Sequence, residues 1–309
     1  MIHAQALTKR YGAKTAVDDI DFTVRPGLVT GFLGPNGAGK STTMRMIVGL
    51  DRPTHGGVTV NGRKYAEHRA PLHEVGALLD AKAIHTGRSA YNHLLAMGAT
   101  HGIGKARVNE VIGLTGLESV AGKRVGGFSL GMGQRLGIAA ALLGDPATLT
   151  LDEPVNGLDP EGVMWVRRLA RSLAAEGRTI FLSSHLMSEM ALTADHLIVL
   201  GRGRIIADAP VADILAGSTR TAVRLRSPRA EQLAQLLAGP QVSISTTEQG
   251  LLTVTGLTAE VIGDTAAGAG IPLHELTPVG ASLEEAYMDL TQDDVEYHAG
   301  TTTPEGALR

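Results

Sequence analysis

Eight consecutive residues carry the clearest chemistry in the sequence: Gly34-Pro35-Asn36-Gly37-Ala38-Gly39-Lys40-Ser41. Glycines at these spacings let successive backbone N–H groups turn inward around the oxygens of an anion. Lys40 adds a point charge suited to β- and γ-phosphates, Ser41 a hydroxyl suited to Mg²⁺, and Thr42 a second hydroxyl in reach of an α-phosphate. A helix starting near Lys40 offers its free N–H groups and positive dipole end to the same anion. The G-x-x-x-x-G-K-[ST] pattern is complete and lies in the required context, between the apolar run Leu28–Leu33 and that helix.

A second group follows the apolar run Thr148-Leu-Thr-Leu151, which ends in Asp152-Glu153. Asp152, at the end of a buried strand, can hold Mg²⁺ through water. Glu153 points differently and can orient and deprotonate an attacking water. His185 lies just past a further apolar run, Thr179–Ser183, where it can face a γ-phosphate. Tyr11, upstream in Lys9-Arg10-Tyr11-Gly12, offers a ring that could stack on adenine, or could be an ordinary half-buried tyrosine. Five other histidines, His3, His68, His73, His93 and His101, are scattered without metal-ligand spacing. Trp165, the single tryptophan, reads as a packing or interface residue.

These residues need a frame. Short apolar runs at Ile20–Val24, Leu28–Leu33, Ala147–Leu151 and Thr179–Ser183 read as strands, the last two suited to buried parallel positions. Helices are expected at Lys40–Val48, Ser89–Gly102, Lys105–Leu114, Ser129–Leu143 and Pro160–Glu176, the last capped by Asp159. Asn61-Gly62 after Val58–Val60 is a turn signal. Strands alternating with helices imply an α/β fold with a mainly parallel sheet covered on both faces. The small, polar stretch Ala216-Gly-Ser-Thr219 reads as a linker. Beyond it strands are expected at Thr221–Leu225, Val242–Ser245, Leu251–Thr255 and Ile271–Leu276, with a turn at Glu248-Gln-Gly250 and helices at Ala230–Leu237 and Thr258–Ala267. That order suits a small ferredoxin-like unit. Ser282–Thr291 reads as a closing helix, and residues 298–309 as a disordered tail.

Composition narrows the class. The 309 residues suffice for one large domain plus a smaller one, 43% hydrophobic and 19% charged content is ordinary for a globular chain, and 3% aromatics leave the core to aliphatics. No cysteine is present, which excludes disulfides and thiolate metal sites. A net charge of -3 gives no electrostatic case for nucleic acid. The opening MIHAQALTKRYG has no charged-then-apolar leader pattern, and no apolar stretch approaches the ~18 residues of a membrane span.

In motif order over residues 2–215, the chain resembles the nucleotide-binding subunit of ABC transporters. More narrowly it is similar to the drug- and antibiotic-exporter type that pairs with ABC-2-type permeases. The segment Thr277-Pro-Val-Gly-Ala-Ser-Leu-Glu-Glu-Ala-Tyr287 resembles the C-terminal extension of that subgroup. The resemblance implies a P-loop ATPase cassette over 1–216, with an antiparallel β subdomain and a helical subdomain at about 85–145, followed by a small α+β domain over 217–297. It implies that Tyr11 stacks on adenine, that residues 34–42 cradle the phosphates, and that Glu153 and His185 serve hydrolysis. It implies that Ser41, Asp152 and Asp80 serve Mg²⁺; Asp80 stands where most members carry glutamine. Phe128-Ser129-Leu130-Gly131-Met132-Gly133-Gln134 occupies the signature motif, in which Ser129, Gly131 and Met132 would act in trans on ATP held by a second copy. Leu130 and Met132 depart from the usual Leu-Ser-Gly-Gly-Gln. Asp159 falls in the loop that crosses the dimer interface. The implied partners are an ABC-2-type permease and a second copy of the chain in a head-to-tail dimer, on the cytoplasmic face of the membrane, with no nucleic acid.

Three rival readings fit the residues less well. A soluble ABC ATPase acting on nucleic acid or ribosomes usually carries two cassettes or long coiled coils, and this chain has one cassette and no heptads. A P-loop kinase or GTPase is opposed by the Asp-Glu pair, the signature region and the lack of Asn-Lys-x-Asp. A non-hydrolysing regulatory subunit is opposed by the presence of Glu153 and His185.

Overall fold

The computed structural model describes residues 1–80, 84–217, 222–248, 250–279 and 283–291. The chain forms two compact units, Met1–Ala209 and Pro210–Leu290.

The first unit runs β1 (Ile2–Tyr11), β2 (Lys14–Val24), β3 (Val29–Leu33), α1 (Lys40–Ile47), β4 (His55–Val60), α2 (Pro71–Glu74), β5 (Val75–Leu78), α3 (Ala90–Ala99), α4 (Lys105–Leu114) and α5 (Leu130–Leu142). It continues through β6 (Thr148–Leu151), α6 (Pro160–Ala175), β7 (Thr179–Ser184), α7 (Met187–Thr193), β8 (His196–Gly201) and β9 (Arg204–Pro210). Six strands form one sheet in the order β5-β6-β7-β3-β8-β9. The pairs β5·β6, β6·β7, β7·β3 and β3·β8 are parallel. Every residue of β3, β6 and β7 is buried, which is why these strands read as unbroken apolar and threonine runs. Parallel pairing puts the carboxyl ends of β3, β5, β6 and β7 along one edge, the place where open α/β sheets bind ligands.

A second sheet, ordered β2-β1-β4, is antiparallel. Three of the chain's four phenylalanines join the two sheets. Phe22 of β2 lies 6.1 Å from Phe32 of β3 and 5.9 Å from Phe181 of β7, ring centre to ring centre, and Phe32 lies 5.0 Å from Phe181. Such contacts add to plain area burial. In a chain this poor in aromatics the cluster is hard to replace. Phe181→Ala is expected to destabilise the first unit by about 3–5 kcal/mol, read as a lowered urea midpoint. A midpoint within error of the parent would show that the cluster does not hold the sheets together.

Helices α3, α4 and α5 pack on one another around buried Leu94, Val108, Val111 and Leu136. Helix α6 starts as expected: Asp159 Oδ1 accepts the Gly162 N–H at 2.8 Å, with Pro160 in the first turn. Trp165, half-buried on α6, faces Arg135 of α5, whose guanidinium sits 4.6 Å from the ring centre.

The second unit contains α8 (Val211–Gly217), β10 (Ala222–Arg226), α9 (Ala230–Leu237), β11 (Ser243–Glu248), β12 (Leu251–Thr255), α10 (Ala259–Gly268), β13 (Glu275–Val279) and α11 (Leu283–Thr291). Its sheet order is β11-β12-β10-β13 with all pairs antiparallel, the ferredoxin-like arrangement. Ala230, Leu233 and Leu237 on one side of α9, and Ile262 and Ala266 of α10, bury against Val223, Leu225, Leu252 and Val254 of the sheet. Two expectations need correction. Ala216 and Gly217 close a helix rather than open a linker, because Val211 and Ile214 of that helix are buried. The last strand begins at Glu275, not Ile271: Pro272 lacks an N–H, and its carbonyl instead accepts the Ser227 hydroxyl at 2.8 Å. Residues 218–221, 249, 280–282 and the tail 298–309, which carry parts of the expected linker, turn, family extension and tail, lie outside the described residues.

No helix among the described residues is long and apolar enough to cross a membrane.

Candidate active site

The shared strand edge gathers the sequence-predicted residues. Leaving β3, the chain enters the glycine loop and then α1. Gly39 takes φ 109° directly before that helix, a conformation open to glycine alone at low cost. A Cβ there would also collide with the Ala16 carbonyl. Thr43 secures the turn by donating its hydroxyl to the Gly39 carbonyl at 3.0 Å. Lys40 is only 6% exposed. Its ammonium donates to the carbonyls of Gly34 at 2.6 Å and Pro35 at 3.3 Å, bracing the loop from inside. Burial lowers the Lys40 pKa below the ordinary lysine value, and the charges of Glu153 and Asp152 oppose that shift.

A cavity of about 390 Å³ opens over this loop. Tyr11, Lys14, Pro35, Asn36, Gly37 and Gly39 line it together with Lys40, Ser41, Thr42 and Glu153. Residues from β1, the glycine loop and the end of β6 thus meet around one space. The Tyr11 ring is 48% exposed, with its hydroxyl donating to Asp51 Oδ2 at 2.9 Å and the Lys9 ammonium 4.9 Å from its centre. One ring face is therefore partnered by a cation, and the hydroxyl tethers the ring at the cavity rim.

Asp152 and Glu153 directly follow β6. The Asp152 N–H bonds to the Leu78 carbonyl at 2.7 Å, so the end of β5 fixes it from one side. The Ser183 hydroxyl of β7 donates to Asp152 Oδ1 in a very short bond and accepts the Glu153 N–H at 2.9 Å. Glu153 adopts φ 50°, uncommon for a residue with a side chain. Its Oε2 lies 2.7 Å from His185 Nδ1, with Glu153 at 20% and His185 at 46% side-chain exposure. A carboxylate and an imidazole in contact beside the lysine-braced loop can together orient a water and take its proton.

The other expected residues stand elsewhere. Ser129 caps α5, its hydroxyl accepting the Met132 N–H at 3.2 Å. It lines a separate hollow with Thr86, Gly126, Phe128, Leu130 and Gly133, none of which borders the cavity over the glycine loop. Asp159 spends one carboxylate oxygen on capping α6. Asp80 lies exposed, two residues beyond β5. Three contacts were not foreseen: Ser183 joining Asp152 to Glu153, Asp51 holding Tyr11, and Gln134 donating from Nε2 to the Glu153 carbonyl at 2.7 Å. Gln134 ends the signature stretch and Ser183 lies two residues before His185, yet pairing across long sequence separations leaves no local pattern.

Residues 17–156 match the family model described as ABC transporter, and 221–284 match one described as a domain of unknown function. An AAA-domain model, described as a putative AbiEii toxin of a type IV toxin–antitoxin system, matches 124–191 within the cassette. The bacitracin transport ATP-binding protein BcrA of Bacillus licheniformis is 42% identical over 213 residues, 68% of this chain and 70% of that protein. The chain belongs to the ABC transporter ATP-binding subunits. The Nod factor export ATP-binding protein I of Rhizobium sp. (strain N33) is 33% identical across 96% of this chain and 98% of its own length, so the similarity of this ABC subunit extends through the second unit. The lantibiotic transport ATP-binding protein SrtF of Streptococcus pyogenes is 36% identical over 206 residues, covering 67% of this chain and 89% of that one. Among solved structures, an ATP-binding subunit of an ABC transporter superposes with a TM-score of 0.64 at 26% identity, covering 70% of this chain and 92% of that one. The dimeric cassette MJ0796, bound to ADP and Pi, shares the fold with a TM-score of 0.63 at 22% identity, covering 68% and 99%. The subunit is thus an ABC-family ATPase, related to ATP-binding proteins of bacitracin and lantibiotic transport.

Proposed function

We propose that the subunit energises export of an antibiotic or another small hydrophobic compound through a separate ABC-2-type permease, docked on the cytoplasmic face of the membrane. The ATPase half of this reading is carried by one observation: Lys40, Ser41, Thr42, Tyr11 and Glu153 border a single cavity, with His185 in contact with Glu153. In this reading residues 34–42 bind the triphosphate, Tyr11 stacks on adenine, Glu153 accepts the proton of the attacking water and His185 orients that carboxylate toward the γ-phosphate. The nucleic-acid alternative has no support: the characterised relatives named above are transport or export proteins.

A Mg²⁺ ion fits the donor set. Ser41 and Asp152 supply hard oxygens, and Asp80, two residues beyond β5, a further carboxylate. That pattern suits an ion completed by phosphate oxygens and water rather than by a protein cage. When bound, it would neutralise developing charge on the phosphates. In this reading Ser129, which lines a hollow apart from the glycine loop, acts with Gly131 and Met132 on the nucleotide of a second copy, and Asp159 falls at the meeting of the two copies. ATP then acts as interface glue, released when the γ-phosphate leaves.

Two measurements test the proposal. Co-expression with a candidate ABC-2-type permease should raise bacitracin or lantibiotic tolerance of a sensitive host in a manner abolished by Glu153→Gln. Tolerance that is unchanged by the pair, or unaffected by that substitution, would remove the export reading. Tyr11→Ala should weaken ATP binding by roughly 1–3 kcal/mol, the usual worth of a base–aromatic stack, while Tyr11→Phe should bind normally. Equal affinities in a titration of all three proteins would show that the ring does not stack.

A further inference from the structure

Glu153 is held in the left-handed region, and such a conformation persists only where its surroundings over-determine it. Two side chains do so by gripping both polar groups of its backbone. Ser183 takes the N–H at 2.9 Å, from within the same sheet and in contact with Asp152. Gln134 takes the carbonyl at 2.7 Å, and it comes from a different structure altogether, the second turn of α5. The Gln134 side chain is 4% exposed, so water does not compete for this bond.

The first turn of α5 touches the far end of the same segment. Leu130 lies directly over Gly157, which takes φ 73°, and a Cβ on Gly157 would collide with the Leu130 side chain. A Cβ on Gly131 would sit 3.1 Å from the Gly157 carbonyl. The stretch from Glu153 to Gly157 is therefore clasped at both ends by one helix, whose N-terminal cap is Ser129. The leucine that departs from the family's usual glycine fills the space that Gly157 leaves open.

We infer that Gln134 is a positioning residue through which α5 sets the placement of Glu153. The inference rests on the reading of Glu153 as the base. Its consequence is a link between two nucleotides. Ser129 at the tip of α5 serves the ATP of a second copy, and Gln134 on the same helix holds the carboxylate that acts on this chain's own ATP. Engagement of the helix tip at one site thereby aligns the base at the other. Small misplacements of a reacting group are costly in rate.

The test uses the full chain, with its permease where turnover requires it. Gln134→Met keeps the length and volume of the side chain and loses the donor. Expected is a fall in kcat of about tenfold or more. KM for ATP and affinity for a fluorescent ATP analogue should stay within about twofold, with the steepness of the ATP dependence dropping toward a Hill coefficient of one. Leu130→Ala, at a half-exposed position where folding is not at stake, should lower kcat and steepness in the same direction by less. Unchanged kcat and steepness in Gln134→Met overturns the inference, as does a loss of nucleotide binding in a folded Gln134→Met protein, which would make the residue merely structural. If Gln134→Met cannot be recovered folded, unchanged kcat and steepness in Leu130→Ala overturns it alone. Glu153→Gln is measured alongside. If that variant still turns over, the assignment of the base has failed; if it is silent while Gln134→Met is normal, only the coupling has failed.

Discussion

Glu153→Gln is expected to lower steady-state ATP turnover by about 10²–10⁴-fold while leaving ATP binding intact. The substitution is isosteric, and the contacts that hold residue 153 are made by its backbone: Ser183 to the N–H and Gln134 to the carbonyl. The glutamine can still meet His185, now 2.7 Å from the carboxylate. What disappears is the proton acceptor. Because the γ-phosphate is then not cleaved, the ATP-bound pair of copies should persist. Phosphate release and size-exclusion chromatography with and without ATP read the two effects. Near-normal phosphate release would assign the base elsewhere.

Lys40→Ala should weaken ATP binding by on the order of 10- to 100-fold, the value of a charge-assisted bond to a phosphate. Two losses combine. The cavity loses its most buried cation, and the Gly34 carbonyl, which accepts from the ammonium at 2.6 Å, loses its partner. The loop is therefore expected to lose its shape as well as its charge. Burial already lowers the lysine pKa, so an arriving triphosphate, like Asp152 and Glu153, favours the charged form and is favoured by it. Titration with a fluorescent ATP analogue measures the loss, and an unchanged affinity would refute the phosphate-loop role.

The sequence was most legible where chemistry is local. The glycine loop, the Asp152-Glu153 pair at a strand end and the cap of α6 at Asp159 each declare themselves within a few residues, and the structure has β3, β6 and α6 where these motifs require them. The strand β1 was not legible. Register shifts between Ala4 and Leu7 and on to Arg10 break its alternation, so a period of two finds no continuous match. The four residues of β5 were too few to signal a strand, though they carry the carbonyl that fixes Asp152. In the second unit β13 admits Pro278 because it lies at the sheet edge, a property of the finished sheet. At the site, the same division holds. Lys40 and His185 were readable from their neighbours, whereas the grip on Glu153 depends on Gln134 and Ser183 arriving from distant elements.

The stacking of Arg135 on Trp165 has a practical outcome. With one tryptophan in 309 residues, near-ultraviolet-excited emission of the whole chain comes chiefly from a single indole on α6. A guanidinium from α5 rests on that indole at 4.6 Å. Any shift of α5 against α6 changes the charge beside the chromophore, and with it the colour and yield of its light. The unlabelled protein therefore carries its own optical gauge, an indole on α6 read by a guanidinium from α5.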